Sequence, residues 1–517
     1  MVQHVKKKRT IYLPVILLFL LIGLLTFHHA MKERDLTPDG LSRNTEIVDG
    51  VNGKILTANK VDSGYDIHFN ENGKLANVHV NEKLEVTHKE TLPIEVGLTA
   101  TIWAKNNTAY FIEDQALTYF DGKEKQTIVD KVDGFEASDT HLYYWKKDMI
   151  FKLDSTTNTS EQLVITDQPV SNVFASDQKG LFAVTSKIDE YTTQVSVYKT
   201  DEENVNESLK FDINSISGEN VTDIDLAENE DGLHLIYQTG QAHGGTIIVR
   251  GHYNLFKTAQ EEPSFNEIRV YDTFTNSRQR VFDNMNLVIT ENGPEIYLSI
   301  RSMIKPKIES WNVYRALPED DGKWLASHIS TSTSVSKNHV YVDEGELFWL
   351  DTRGKSAKIM AVSDHPELVE KGGRLQASDW VNGFYTGMAK LPYGLILLLV
   401  AVMWLAPAII FLFCVSFWNE DAIEQRRSWV RYSAIGLFTI FQYFLLQRFF
   451  TPMFETFSPI YLSFQMHSVV IPIVLVLLSM LFTRLVRKNH WNLYQEFGYF
   501  ALFHTLMIIF LISPYTI

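Results

Sequence analysis

The chain has 517 residues, a formal net charge of −15 and a single cysteine, Cys414, so no intrachain disulfide is available to it. Residues 32–390 hold most of the acid, 36 basic against 57 acidic side chains, a net charge of about −21. That field disfavours nucleic acid, anionic lipid and anionic polymer as partners of the polar portion, although solubility alone also accounts for it.

Residues 1–10 are basic, with Lys6, Lys7, Lys8 and Arg9, and Ile11–Phe27 follows without a charge. The segment predicts a membrane helix over 11–28 with its N-terminal side in the cytoplasm. A cleaved signal peptide shares the basic leader, but cleavage after Ala30 puts His28 at the −3 position, where a small residue is wanted. The expectation is an uncleaved anchor.

Residues 32–388 read as short apolar runs broken by Asn, Asp and Gly, the pattern of β-strands rather than helices. One unit recurs: a polar turn, a short strand, a gap and a second strand. It is found at Glu71–Val86, Asn106–Gly122, Ser138–Asp154, Asp177–Tyr198, Glu230–Tyr237, Asn292–Leu298 and Lys337–Asp351. The tighter intervals approach the ~40–50 residues of a four-stranded propeller blade. Strands such as Leu142–Trp145 are apolar on both faces, as a blade pressed between neighbours requires. The expected fold of this extracytoplasmic domain is all-β, a propeller of six to eight blades with seven favoured; a β-sandwich is the alternative. The longest interval, containing Gly244-Gly245 and the polar stretch Ala259–Asn266, has room for an insertion or a hidden blade. A closed ring also brings its two ends together, so the first and second membrane helices are expected to leave it side by side.

In architecture the chain resembles the β-propellers of the WD40 and pyrroloquinoline-quinone-repeat kinds. It has neither the recurring Gly-His to Trp-Asp pairing of the first nor the tryptophan docking motif of the second, so the resemblance carries over no functional residue.

Four further spans are predicted at 393–417, 432–449, 459–482 and 497–513, making an α-helical bundle of five. The loops 418–431 and 484–496 hold Arg426, Arg427, Arg431, Arg484, Arg487 and Lys488, which the positive-inside rule places in the cytoplasm. The short loop around Thr451–Ser458 has Glu455 and no Lys or Arg, so it belongs outside, as does the C-terminus. A polar domain of about 360 residues without cysteine suits a bacterial plasma membrane better than passage through an endoplasmic reticulum, despite sequons at Asn106, Asn158, Asn206 and Asn220.

No hydrolase, metalloprotease, P-loop or dinucleotide motif is present, so no catalytic residue, cofactor or metal is assigned. The spacing of His234, His243 and His252 matches no tight metal site, and Glu319–Gly322 reads as a hairpin turn. Polar side chains within lipid are costly and often functional, which singles out Gln442, Gln465, His467 and His504; helix-to-helix hydrogen bonding is the plainer explanation. Three function classes remain. The first is a propeller presented for binding, scaffolding or sensing in the bacterial cell envelope, with another envelope or membrane protein as partner, the bilayer as anchor and no nucleic acid. The others are a component of a transport or export system, and an envelope enzyme whose site is unidentified.

Overall fold

The computed structural model describes residues 2–516 apart from 99, 106, 139–140, 177, 179, 201–203, 215–218, 244–245, 258–266, 280, 306–307, 320–321 and 343–344. The sequon at Asn106, the pair Gly244-Gly245 and the whole polar stretch at 259–266 lie outside the described residues. The chain divides into Thr37–Gly372 and a second unit made of Met1–Leu36 with Gly373–Ile517.

Thr37–Gly372 is a seven-bladed β-propeller. Blades one to four are antiparallel four-stranded sheets over 56–95, 102–129, 134–165 and 170–214, and blade five is three-stranded over 219–256. In blade six the four strands over 282–328 gain two more at their outer edge, because Arg269–Asp272 pairs in parallel with Lys323–His328 and carries Ser277–Gln279 beside it. The long interval between the fifth and sixth units therefore extends blade six, and no eighth sheet forms among the described residues. Blade seven closes the ring: its outermost strand is the N-terminal Thr45–Val51, paired with Ser356–Val362. The two ends of the ring meet, Ser42 N–H donating to Ser363 O at 2.7 Å and Arg43 Nε to Gly372 O at 2.8 Å.

Burial shows why seven blades close. The propeller has seven separate apolar clusters, and each spans one interface between neighbouring blades. The second strand of blade three, Leu142–Lys146, illustrates the mechanism: Leu142 and Tyr144 pack towards blade two, Tyr143 and Trp145 towards blade four. Neither face of such a strand meets water, so its sequence loses the polar alternation of a half-exposed strand. Polar stitches reinforce the seams. Asn59 Nδ2 donates to Ala104 O at 2.7 Å between blades one and two, and Ser176 Oγ to Leu226 O at 2.6 Å between four and five.

At both ends of the ring the register differs from the expected repeat. Asn72-Gly73 lies one strand later than the turns of the middle repeats: it is the tight turn between blade one's second and third strands, with φ of 54° and 83°. The true second strand, Gly64–Glu71, alternates Tyr65, Ile67 and Phe69 with Asp66, His68 and Asn70, and so reads as half-exposed. It is buried on both faces because its polar residues are bonded: Asp66 to His79 Nδ1 at 2.8 Å, and Asn70 Nδ2 to Val96 O at 3.2 Å. In blade seven Asn338 marks no turn but a bulge, at φ 51°, inside the innermost strand Val335–Val342.

The second unit is helical. It opens with α1 (Val2–Asp35); the propeller intervenes and ends in α2 (Pro366–Gly373). Then follow α3 (Ala377–Trp418), α4 (Glu420–Glu424), α5 (Ser428–Leu446), α6 (Pro452–Phe457), α7 (His467–Val486) and α8 (Leu493–Leu511). Four helical stretches, Ile11–Asp35, Ile396–Trp418, His467–Val486 and Leu493–Tyr515, are long and apolar enough to cross a membrane. The fifth expected span is the 19-residue α5, which carries Arg431, Gln442 and Tyr443 and is less apolar. Helix limits also shift. α3 begins well before the expected 393, and the polar domain therefore ends before 388. α8 starts at Leu493 rather than 497 because Asn492 and Gln495 form a reciprocal capping box. α7 starts at His467 rather than 459, after Met466 in a left-handed conformation at φ 66°.

α1 and α3 lie against each other through Gly383 and Gly387, a Gly-xxx-Gly spacing on one face of α3. A Cβ built on Gly383 would stand 2.6 Å from Ala30 N and 2.8 Å from Thr26 O, so the two backbones touch there. One end of the bundle gathers the final turns of α1, α6 and the C-terminus. Lys32 Nζ donates to Phe457 O, and the Tyr515 ring meets those of His28 at 5.3 Å and Phe454 at 6.4 Å. The other end gathers both arginine clusters, Arg426 donating to Lys488 O at 3.1 Å and Asn489 O at 2.9 Å. α5 runs from one end to the other: Arg431 near its start bonds Glu496, and Gln447 just after its last turn donates to Ser468 O at 2.7 Å.

Candidate functional site

Of the four polar residues singled out within the apolar helices, two meet. Gln442 on α5 and His504 on α8 are both fully buried, with Gln442 Nε2 and His504 Nε2 2.7 Å apart. A third partner, missed in the sequence, is the buried Ser479 of α7, whose Oγ lies 3.1 Å from His504 Nδ1. The Ser479 hydroxyl also lies 2.6 Å from Leu475 O and has one hydrogen to give, which goes to that carbonyl. His504 Nδ1 is therefore the protonated nitrogen and donates to Ser479, leaving Nε2 to accept from the Gln442 amide. Gln442 Oε1 is buried and accepts no hydrogen bond from any described residue. The neutral triad ties three helices together and holds neither an acid nor a nucleophile with a free base.

The other two lie apart from it. His467 begins α7 in an aromatic setting, its ring 5.1 Å from that of Phe450 and 5.8 Å from that of Phe454. Its Nδ1 donates to Phe464 O at 2.9 Å, and its Nε2 is 3.8 Å from the exposed Glu455. Gln465 is not within a span as expected: it is exposed in the loop before α7.

Below the triad the polar stripe continues. Glu496, Phe500 and His504 recur every four residues on one face of α8, and Ser479 and Thr483 do so on α7, with Arg487 just after its end. Phe438 of α5 fills the gap, edge-on to His504 at 4.9 Å and to Phe500 at 5.2 Å. At the foot of the stripe the buried Glu496 accepts from Arg431 Nη2 and from Arg487 Nη1, each at 3.1 Å. These groups and Arg484 line a cavity of about 430 Å³ whose remaining walls are largely apolar, among them Leu412, Ile435, Met480 and Phe497. The expected loop 484–496 hid Glu496 from view; the signal available was its four-residue spacing to Phe500 and His504.

The propeller offers a second arrangement, around its innermost strands. In blades four to seven that strand carries one extra residue against its neighbour, at Ser171, at Thr222, at Asn284 and within Asn338-His339. Bulges re-aim the side chains beside them. Here they accompany a chain of polar contacts from blade to blade. Asp225 accepts from Leu287 N at 2.7 Å, Lys337 Nζ bonds Asp283 at 2.7 Å, and Asn338 Nδ2 donates to Lys54 O at 3.2 Å. Lys337 Nζ also lies 3.6 Å from the centre of the Trp311 ring. Burial pushes the Asp223 carboxyl up to about 6, with the Asp283 carboxylate adding to the effect. Burial likewise holds the His339 imidazole down to about 4.

The histidines spaced by nine are structural where they are described. His234 bonds Tyr253 at 2.7 Å and Asn229 at 2.8 Å, and His252 stacks on Tyr237. The side chain of His243 lies outside the described residues. Glu319 and Gly322 close a tight turn, with Asp320 and Asp321 outside the described residues. Among the described residues no group of three or more His, Cys, Asp or Glu is placed to hold a metal.

No protein-family model and no curated protein matches the chain. Solved structures similar to it include the N-terminal domain of Nup159, at 12% identity and TM-score 0.38, covering 63% of this chain and 97% of that one. Hydrazine synthase of Kuenenia stuttgartiensis is similar at 12% identity and TM-score 0.35, over 52% of this chain and 77% of that one. An auxiliary nutrient binding protein of Bacteroides thetaiotaomicron is similar at 11% identity and TM-score 0.31, over 50% and 69%. At these scores the likenesses carry no functional argument, and the propeller stands on the chain's own sheets.

Proposed function

We propose that the protein is a multi-pass protein of a bacterial plasma membrane that presents its propeller outside the cell as a binding or scaffolding surface for another envelope or membrane protein. The observation that carries the binding role is the run of bulged innermost strands in four consecutive blades, with Asp223, Asp283, Lys337 and Asn338 beside the bulges. A ring built only to be rigid has no need of repeated bulges beside an ion pair and a run of polar contacts.

Three features support the membrane setting. Both arginine clusters gather at one end of the bundle, as a common cytoplasmic face requires. α5 runs the length of the bundle beside the more apolar helices, which favours five crossings over four. Residues 32–36 and 377–390, between which the propeller is inserted, belong to the end remote from the arginines. The contact of Gly383 with Ala30 also favours an anchor that stays in place over a signal that is removed.

The test is cross-linking in native membranes followed by purification of the full-length protein. A discrete partner is expected with the wild type, and its loss on Lys337→Met, which keeps the aliphatic stem and sets no second acid beside Asp283, while the protein still accumulates in the membrane. Recovery of no partner, or of the same partner from the variant, counts against the binding role. A transport reading is favoured by one observation, the polar stripe from Glu496 to Gln442 through the bundle. It requires flux that His504→Leu abolishes while the protein still accumulates.

A further inference from the structure

We propose that the arginine-lined cavity of the helical bundle is a binding site for a phosphate group, as carried by an anionic phospholipid or by a soluble phosphate. The inference rests on the proposed cytoplasmic placement of the arginine end, and stands apart from the propeller's partner and from the number of spans.

Arg431 on α5, Arg484 on α7, Arg487 just after its end and Glu496 on α8 line one cavity of about 430 Å³. Three cations against one carboxylate leave two positive charges unbalanced. Glu496 takes one bond from each of Arg431 and Arg487, which fixes two guanidinium forks without exhausting them. Among the described residues Arg431 Nε is buried with no hydrogen-bond partner, and Arg484 makes no ion pair or hydrogen bond. Unbalanced guanidinium groups beside apolar walls are relieved by an anion with several acceptor oxygens, and the planar fork of Arg matches phosphate two bonds at a time. A single carboxylate has too few oxygens for three guanidinium groups. The apolar walls, with Met480 and Phe497, suit the glycerol and first acyl carbons that adjoin a lipid phosphate. Basic pockets between helices on the cytoplasmic side are where anionic headgroups bind. Arginines that serve only to fix the orientation of the helices need no shared cavity.

The experiment uses the full-length protein in an uncharged detergent, with short-chain phosphatidylglycerol, short-chain phosphatidylcholine and inorganic phosphate as probes. Wild-type protein is expected to bind phosphatidylglycerol at least tenfold more tightly than phosphatidylcholine. Arg484→Gln, which breaks no hydrogen bond or ion pair with a described residue, is expected to lose about tenfold, and Arg484→Lys, which keeps the charge but not the fork, to lose less. Inorganic phosphate that displaces phosphatidylglycerol at micromolar concentration identifies a soluble phosphate as the source; failure to displace it identifies the lipid headgroup. The proposal is overturned when both lipids bind alike and inorganic phosphate does not bind, or when Arg484→Gln binds phosphatidylglycerol as the wild type does.

Discussion

Replacing Gly383 by Ala tests the packing of the first helix against α3 at a single atom. The added Cβ would stand 2.6 Å from Ala30 N and 2.8 Å from Thr26 O, and both are backbone atoms that cannot swing away. The helices have to part by roughly half an ångström to an ångström, and overpacking of this kind costs about 1–3 kcal/mol. Helix propensity works the other way, since Ala is favoured over Gly in a helix interior by about 0.5–1 kcal/mol. The net expectation is a loss between about 0 and 2.5 kcal/mol, in place of the gain that propensity alone would give. Two controls separate the terms. A Cβ on Gly436 of α5 meets nothing within 4 Å, so Gly436→Ala should stabilise by the propensity term alone. On Gly387 the neighbours are side-chain atoms of Leu25 at 3.1 and 3.3 Å, which can give way, so Gly387→Ala should fall between the two. The assay is the melting temperature of the full-length protein in one detergent. A rise for Gly383→Ala equal to that for Gly436→Ala would refute the reasoning, because α1 would then not touch α3 at that point.

Two other outcomes follow from buried polar groups. Asp223 has its folded pKa raised to about 6 from 3.8, so the folded state holds the proton more tightly and loses stability as pH rises from about 4 to about 6. Asp223→Asn should match the wild type near pH 4 and exceed it at pH 7.5, by at most about 3 kcal/mol for a shift of this size. His339, held down to about 4, acts oppositely by losing stability as pH falls from 6.5 towards 4, so the reading is the difference between variant and wild type at each pH. In the bundle, His504→Leu strands the Gln442 amide without its acceptor and should cost about 1–3 kcal/mol beyond the change in packing. Adding Gln442→Leu should recover part of that loss, and a strictly additive double variant would show that the pair is not coupled.

Much of the fold was legible because a blade pressed on both sides writes an unusual signature. Leu142-Tyr143-Tyr144-Trp145 has no polar face, and few structures besides a stacked sheet tolerate that. Legibility failed where polar residues are buried in satisfied bonds, as in Gly64–Glu71, and where a left-handed Asn serves a bulge rather than a turn, as at Asn338. The candidate site was half visible. Gln442 and His504 stood out as polar residues in apolar helices, but no spacing within one helix reveals that α5 and α8 meet. Ser479 passed unnoticed because serine is common in membrane helices, and its role exists only through His504. Glu496 was hidden by a boundary: the cap at Asn492 starts α8 four residues early and turns a loop acid into a buried one. His467 and Gln465 show the reverse, since residues predicted inside a span lie at its start or beyond it.

Cysteine labelling in intact cells tests most directly whether the propeller is held outside the membrane by five crossings. In a Cys414→Ser background, single cysteines at Lys123 in a blade-two turn, Glu455 in α6 and Thr516 near the C-terminus should react with a membrane-impermeant maleimide. Those at Glu424 after α3 and Asn489 between α7 and α8 should react only after permeabilisation. Protection of Lys123→Cys would contradict an outward propeller. Equal labelling of Glu424→Cys and Glu455→Cys would contradict the crossing by α5, and with it the five-span account.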